Sequence, residues 1–275
     1  MSEDSRLLQY MEGSIAELEE CVHALSRHFN APVVTTRGER IVFRYAETDD
    51  LLLSMLKCVR AVSLLNAAVV LLRAGYVHEV YALCRIAEEG NQDVTFMALP
   101  LGEGDKPSED QERFFSEFFQ EEFEDEANIL GSQKRRDRVS RKRIRAAIAN
   151  MEGHPGNPHD VIAIDRTLYQ LFSGYLHGAY VHIMESYGGR PPGHFHTRGM
   201  LGTPKIQECE EQLPNYIFRT ICSGEIVASR LGDEGLRDRF RHIRKEFAAT
   251  TGCVPKDEAQ AKEALSRAKG KGKKA

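Results

Sequence analysis

What this chain lacks narrows it first. None of its six cysteines (Cys21, Cys58, Cys84, Cys209, Cys222, Cys253) belongs to a Cys-x-x-Cys pair, and their scatter fits neither a disulfide framework nor a zinc ligand set. Most occupy apolar positions of helical patterns, where cysteine behaves as a small hydrophobe, so free thiols in a reducing cytoplasm are expected. There is no HExxH, no P-loop, no Rossmann glycine fingerprint and no Gly-x-Ser-x-Gly elbow. Nucleotide-dependent, esterase and zinc-protease chemistry are disfavoured, and no cofactor or metal is expected. The opening MSEDSRLLQYMEGS is polar and acidic, without the basic start and apolar run of a secretory leader. The most apolar stretch, AVSLLNAAVVLL at 61–72, contains Ser63 and Asn66 and falls short of the roughly 20 residues that cross a bilayer. A cytoplasmic location and no membrane partner follow as expectations.

What is present is a 275-residue chain, 41% hydrophobic and 28% charged, long enough to bury a core without staples. Helical periodicity dominates it. Leu7, Met11, Ile15, Leu18, Val22 and Leu25 recur three or four apart, predicting a helix over 3–29. APVVTTRGERIVFRY, β-branched and broken at Gly38, reads as a short hairpin or an extended arm over 33–45. Thr48, with Asp49 and Asp50 after it, caps a helix reaching about Ala74, and Gly75 separates it from a helix over 76–99. One glycine between two long helices makes them an αα-hairpin. Ser108 caps a phenylalanine-rich fourth helix, and Ser140 starts a fifth that ends by Gly153. A sixth runs from Asp160 to Tyr187, and GGRPPGHFHTRGMLGTPK at 188–205 is a long loop. Two more helices follow, one with Pro214 near its first turns and one over 233–249. The fold class expected is all-α, a multi-helix bundle built around the αα-hairpin. Residues 1–47 form a helix and arm, 48–250 the bundle, and 251–275 a polar, basic, disordered tail.

Two polar islands stand out on these apolar helices. Ser173, His177 and Tyr180 lie at i, i+4 and i+7 and would share a face of the sixth helix. A serine one turn before a histidine can fix its tautomer for acid or base work, and the same pair can equally be a satisfied core group. On the third helix His78, Ala82, Arg85, Glu89 and Gln92 form a stripe within which Arg85 and Glu89 can pair. Because isolated buried polar groups are costly, Arg85, Glu89, Ser173 and His177 are expected to form one cluster, structural first and catalytic as the competing reading. His154, His159, Asp160, His194 and His196 sit in loops that nothing in the sequence brings together.

The run LLRAGYVHEVYALCRIAEEG at 71–90, followed by LFSGYLHG at 171–178, resembles a family of bacterial all-helical proteins with no assigned reaction. In that family a Gly-Tyr, Arg, Glu hairpin precedes a Ser-Gly-Tyr-x-His-Gly helix. The resemblance covers about 50–188 and implies that Gly75, Arg85, Glu89, Ser173 and His177 are the positions to watch. More distantly the chain is similar to HEPN helical bundles, several of which are metal-independent ribonucleases. That similarity implies RNA as a substrate, with His177 and Arg85 in the active site. The HEPN pattern of Arg, four to six residues, then His fits Arg73 to His78, Arg190 to His196 and Arg237 to His242, of which only the last lacks a glycine or proline break.

Charge is segregated beneath a net −4. Residues 109–126 hold nine acids, and residues 134–145 hold eight bases, among them Arg135, Arg136, Arg138, Arg141, Lys142 and Arg143. Such a basic run can neutralise phosphates and bind RNA, or it can meet the acidic run within the chain or across a homodimer. Two readings therefore stand: a protein-interaction module associated with a stress or defence system, and a HEPN-like ribonuclease.

Overall fold

The computed structural model describes residues 3–100, 106–123, 126–133, 136–150, 173–188 and 193–253. In chain order the elements are α1 (Glu3–Ser26), β1 (Val33–Arg37), β2 (Arg40–Arg44), α2 (Asp50–Arg73) and α3 (Val77–Ala98). There follow α4 (Glu109–Phe118), a 3-10 turn (Glu126–Gly131), α5 (Arg141–Ala149), a helical segment at 173–177, α6 (Tyr180–Glu185), α7 (Pro204–Arg230) and α8 (Glu234–Thr251). The protein is a multi-helix bundle, as the periodicity predicts, and the segment read as a hairpin or an extended arm forms a two-stranded antiparallel sheet.

The sequence explains the helix ends. Asp49, rather than the expected Thr48, caps α2: its Oδ1 accepts from the Leu52 amide at 2.6 Å. Ser108 and Gln111 form a reciprocal capping box at α4, and Ser140 accepts from the Arg143 amide at the start of α5. Asp233 caps α8 through the Leu236 amide at 2.8 Å.

One main core takes Met11, Ile15 and Leu18 from α1, Met55, Leu65 and Leu72 from α2, and Val77, Val80 and Cys84 from α3. Ile217 and Ile221 of α7 and Phe240 and Phe247 of α8 complete it. Within the stretch 1–47, then, α1 lies in the bundle core, whereas the hairpin strands are mostly exposed. A second, smaller core joins Leu53, Phe96 and Met97 to Phe114, Val139 and Ile144, docking α4 and α5 on the C-terminal half of α3. Over its whole length α2 is long and apolar enough to suit a membrane span, which the shorter 61–72 stretch alone is not. Half of its apolar window is buried inside the bundle, where α1, α3 and α7 pack on it.

The αα-hairpin turns at Gly75, whose φ of +86° disfavours any residue with a side chain. A Cβ there would lie 2.9 Å from the Met200 and Leu201 amides, because the glycine-rich loop docks on this turn. The Met200 amide donates to the Gly75 carbonyl at 2.7 Å, and Met200 is buried. The described part of that loop is thus tied down at the α2–α3 junction.

The sixth predicted helix is corrected. Residues 160–172 lie outside the described residues, and beyond them the helix is not continuous. Gly178 adopts φ +63° and Ala179 is extended before α6 restarts at Tyr180. A left-handed glycine cannot propagate the i to i+4 ladder, so Tyr180 does not share a helical face with Ser173 and His177. The tail at 254–275 lies outside the described residues.

Candidate functional site

The polar stripe of α3 divides into two clusters. At its C-terminal half Asp93, 4% exposed, is gripped from two helices. Lys57 of α2 reaches its Oδ2 at 2.8 Å, and Arg141 of α5 reaches its Oδ1. Arg141 also donates to the Glu89 carbonyl at 3.0 Å and to Gln92 Oε1 at 2.9 Å. Lys57 lies 5.0 Å from the Phe118 ring centroid and 5.4 Å from that of Phe114, so the ammonium is held by aromatic faces as well as by charge. Two turns back from Asp93, Arg85, buried, donates to Glu89 at 2.5 Å. Farther round the helix Asn91 donates to Thr220 and accepts from Ser223 of α7.

The N-terminal end of α3 is built differently. His78 and Tyr81 meet Tyr175 of the 173–177 segment, with ring centroids 5.3 and 4.7 Å apart. His182 of α6 lies over the same tyrosine at 4.0 Å. Its ring occupies the space where a side chain on residue 174 would stand, so Gly174 is what lets α6 approach. Glu185 is the centre of the cluster. It accepts from the Tyr175 hydroxyl at 2.8 Å and faces Lys205 of α7 at 3.6 Å. His78 Nε2 and His182 Nδ1 stop 3.9 and 3.8 Å from its two oxygens. Both nitrogens are buried and make no hydrogen bond among the described residues.

Burial sets the electrostatics of this ledge. It lowers the His78 pKa, since desolvation disfavours the charged ring; Glu185 and Glu79 oppose the shift, and His182 and Lys205 add to it. Burial likewise raises Tyr175 and Tyr81 above the ordinary tyrosine range. It also pushes the thiols of Cys58 and Cys209 up to about 12, which removes them as nucleophiles at neutral pH.

The expected cluster of four is therefore joined only in part. Arg85 and Glu89 pair, whereas among the bonds of the described residues none links either to Ser173 or His177, and His177 is exposed. The histidine buried in this segment is His182, three residues before Glu185 in YVHIME. That i, i+3 spacing was the available signal, overshadowed by the earlier Ser-x3-His pair. Arg237 and His242 both lie on α8, where they pair with Asp238 and Glu246 respectively. No group of three histidine, cysteine or acidic side chains among the described residues could hold a metal ion. His196 bonds the Gly188 carbonyl beside His194, while His154, His159 and Asp160 lie outside the described residues.

The basic run meets its own chain. Arg136 and Arg138 both face Glu117, Arg143 reaches Asp110 at 2.8 Å, and Arg141 belongs to the Asp93 cluster. Lys142 is exposed, and Arg135 lies outside the described residues. The hairpin is the opposite case, an element with little to lie on. Pairing Val34 with Phe43 and Thr36 with Ile41 puts these four side chains on one face. The other face is tethered by Arg37 and Arg44 to Glu121. No family model, no curated protein and no solved structure matches the chain.

Proposed function

We propose that the protein is a protein-interaction module whose docking element is the β1–β2 hairpin. The observation that carries this is exposure. Val34, Ile41 and Phe43 are 65%, 71% and 63% exposed on one face of a sheet with only two strands. A two-stranded sheet is marginal in water by itself, and a contiguous open apolar face marks a contact surface. The occupant that fits is a second copy of the chain. A two-fold axis lays the face on itself, apolar on apolar, without drawing on the pairs that Arg136, Arg138 and Arg143 make inside each copy. Three large side chains from each copy bury about 800 Å² in all, below the roughly 1,200 Å² of a stable complex, so the dimer is weak and reversible. Metal-independent RNA cleavage has less support, since no bond among the described residues joins the exposed His177 to Arg85.

Sedimentation equilibrium over a range of concentrations tests this. The parent should shift from monomer toward dimer as concentration rises, independently of salt. Phe43→Asp should be monomeric throughout with an unchanged melting temperature. A parent that stays monomeric, or a variant as dimeric as the parent, would remove the hairpin from the interface.

A further inference from the structure

α6 is held to the bundle in an unusual way. Of its six residues His182 alone is buried, while Tyr180, Val181, Ile183 and Met184 are exposed at 76%, 62%, 47% and 37%. A short helix exceeds its own nucleation cost only through tertiary contacts, and among the described residues these are the His182 ring resting on Tyr175 over Gly174 and the Glu185 carboxylate bonded to Tyr175 and facing Lys205. The His182 Nδ1 is buried and makes no hydrogen bond among the described residues. A second imidazole, His78, lies across the same carboxylate and is in the same condition.

Among the described residues the charges around the pair come from four elements. On α3 they are His78 and Glu79; on α6, His182 and Glu185; on α7, Lys205 with Glu208 at 2.8 Å; and Tyr175 adds a hydroxyl from the 173–177 segment. With both rings neutral, the Glu185 carboxylate is balanced by Lys205 and the tyrosine hydroxyl. With both rings protonated, two imidazolium ions and one ammonium share Glu185. The two new N–H groups would lie beyond hydrogen-bond reach of its oxygens. Buried cations without a hydrogen-bonded partner are costly, and the shortest way to hydrate them is to undock α6.

We propose that α6 is an acid-released latch: neutral His182 pins it on the ledge, and protonation of the His78–His182 pair lifts it off and uncovers Tyr175. The lowered pKa of His78 has the matching sign, since the docked state binds its proton less readily than the released one. Release exposes the Tyr175 ring and frees Glu185, while the core formed by α1, α2, α3, α7 and α8 stays closed.

Amide hydrogen exchange read by mass spectrometry, corrected for the intrinsic pH dependence of exchange, tests the latch on the full chain. Between about pH 7.5 and about pH 5.5 the opening equilibrium of residues 180–188 should rise by up to roughly tenfold per pH unit for each proton taken up, with α7 and α8 unchanged. His182→Phe keeps a ring on Tyr175 but cannot be charged, so its opening should depend on pH less steeply than the parent's. His78→Gln should likewise reduce the slope while leaving protection at pH 7.5 in place. An opening equilibrium in the parent that does not move with pH would overturn the latch. So would His182→Phe and His78→Gln variants that both open as steeply as the parent.

Discussion

Each end of α3 packs polar side chains around a carboxylate, Asp93 at one end and Glu185 of α6 at the other, and the two are finished differently. At the C-terminal end each oxygen of Asp93 has a cation from a different helix, and Arg141 spends further donors on Glu89 and Gln92, although its Nε is buried without a partner among the described residues. At the N-terminal end Glu185 holds one tyrosine hydroxyl, while two imidazole nitrogens stop short of it. Buried polar groups are stable when their bonds are complete and costly when they are not. The first end therefore fastens α2, α3 and α5 into one body. The second is where a change of protonation has leverage.

The largest effect expected from breaking this contrast is at the finished end. Asp93→Ala leaves Lys57 and Arg141 facing each other in a largely buried place, with side chains only 23% and 20% exposed. Removing one partner of such a group costs about 3 to 5 kcal/mol, readable as a drop in the urea midpoint at constant slope. A loss below about 1 kcal/mol would mean that water already reaches the cluster.

At the unfinished end the expected loss is smaller. His182→Ala deletes the one buried side chain of α6 and opens space over Gly174, at a cost of roughly 1 to 2 kcal/mol that falls on local opening more than on global unfolding. His177→Ala, five residues earlier and exposed, should stay within about 0.5 kcal/mol of the parent. Equal effects of the two alanines would erase the distinction between the buried and the exposed histidine.

Smaller again is the dependence of stability on pH. The folded His78 has a lowered pKa because burial disfavours its charged form. The unfolded chain binds that proton at a higher pH, so the contribution is complete above the ordinary histidine range near 6.5 and is lost as pH falls through it toward the folded value. Thermal unfolding of His78→Gln should show a weaker decline over that window than the parent. A decline that steepens would reverse the sign assigned to this residue.

Much of the frame was legible because helix signals are local. The apolar spacing, the serines at 108 and 140 and the glycine at 75 all act within a turn or two, and each has the expected role. The Arg85–Glu89 pair was legible for the same reason. The Asp93 cluster was not, because its members lie on three helices and Arg141 stands 48 residues from Asp93. His182 of the ledge was missed for a subtler cause. The Ser173, His177, Tyr180 spacing assumes an unbroken helix, and Gly178 breaks it, so the buried face passes to His182. A lone glycine in a helical pattern gives no sign of which hand it will adopt.

The smallest expected effect tests the comparison within a single helix. Arg141 and Arg143 belong to the same basic run, two residues apart on α5, yet only Arg141 enters the buried cluster. Arg143 pairs with Asp110 at 2.8 Å from a side chain that is 59% exposed. Water and salt screen such a pair, and holding two long side chains together offsets most of its Coulomb energy, so Arg143→Ala should change stability by at most about 0.5 kcal/mol. Arg141→Ala should cost several times more, because it leaves Asp93 with one cation and the Glu89 carbonyl with one donor fewer. Unfolding both variants at low and at high salt separates the two roles: the Arg143 effect should vanish with salt and the Arg141 effect should persist. If the two arginines cost the same and fade together, the basic run acts as one solvated strip of charge, and the division between fastened and open polar groups does not extend to α5.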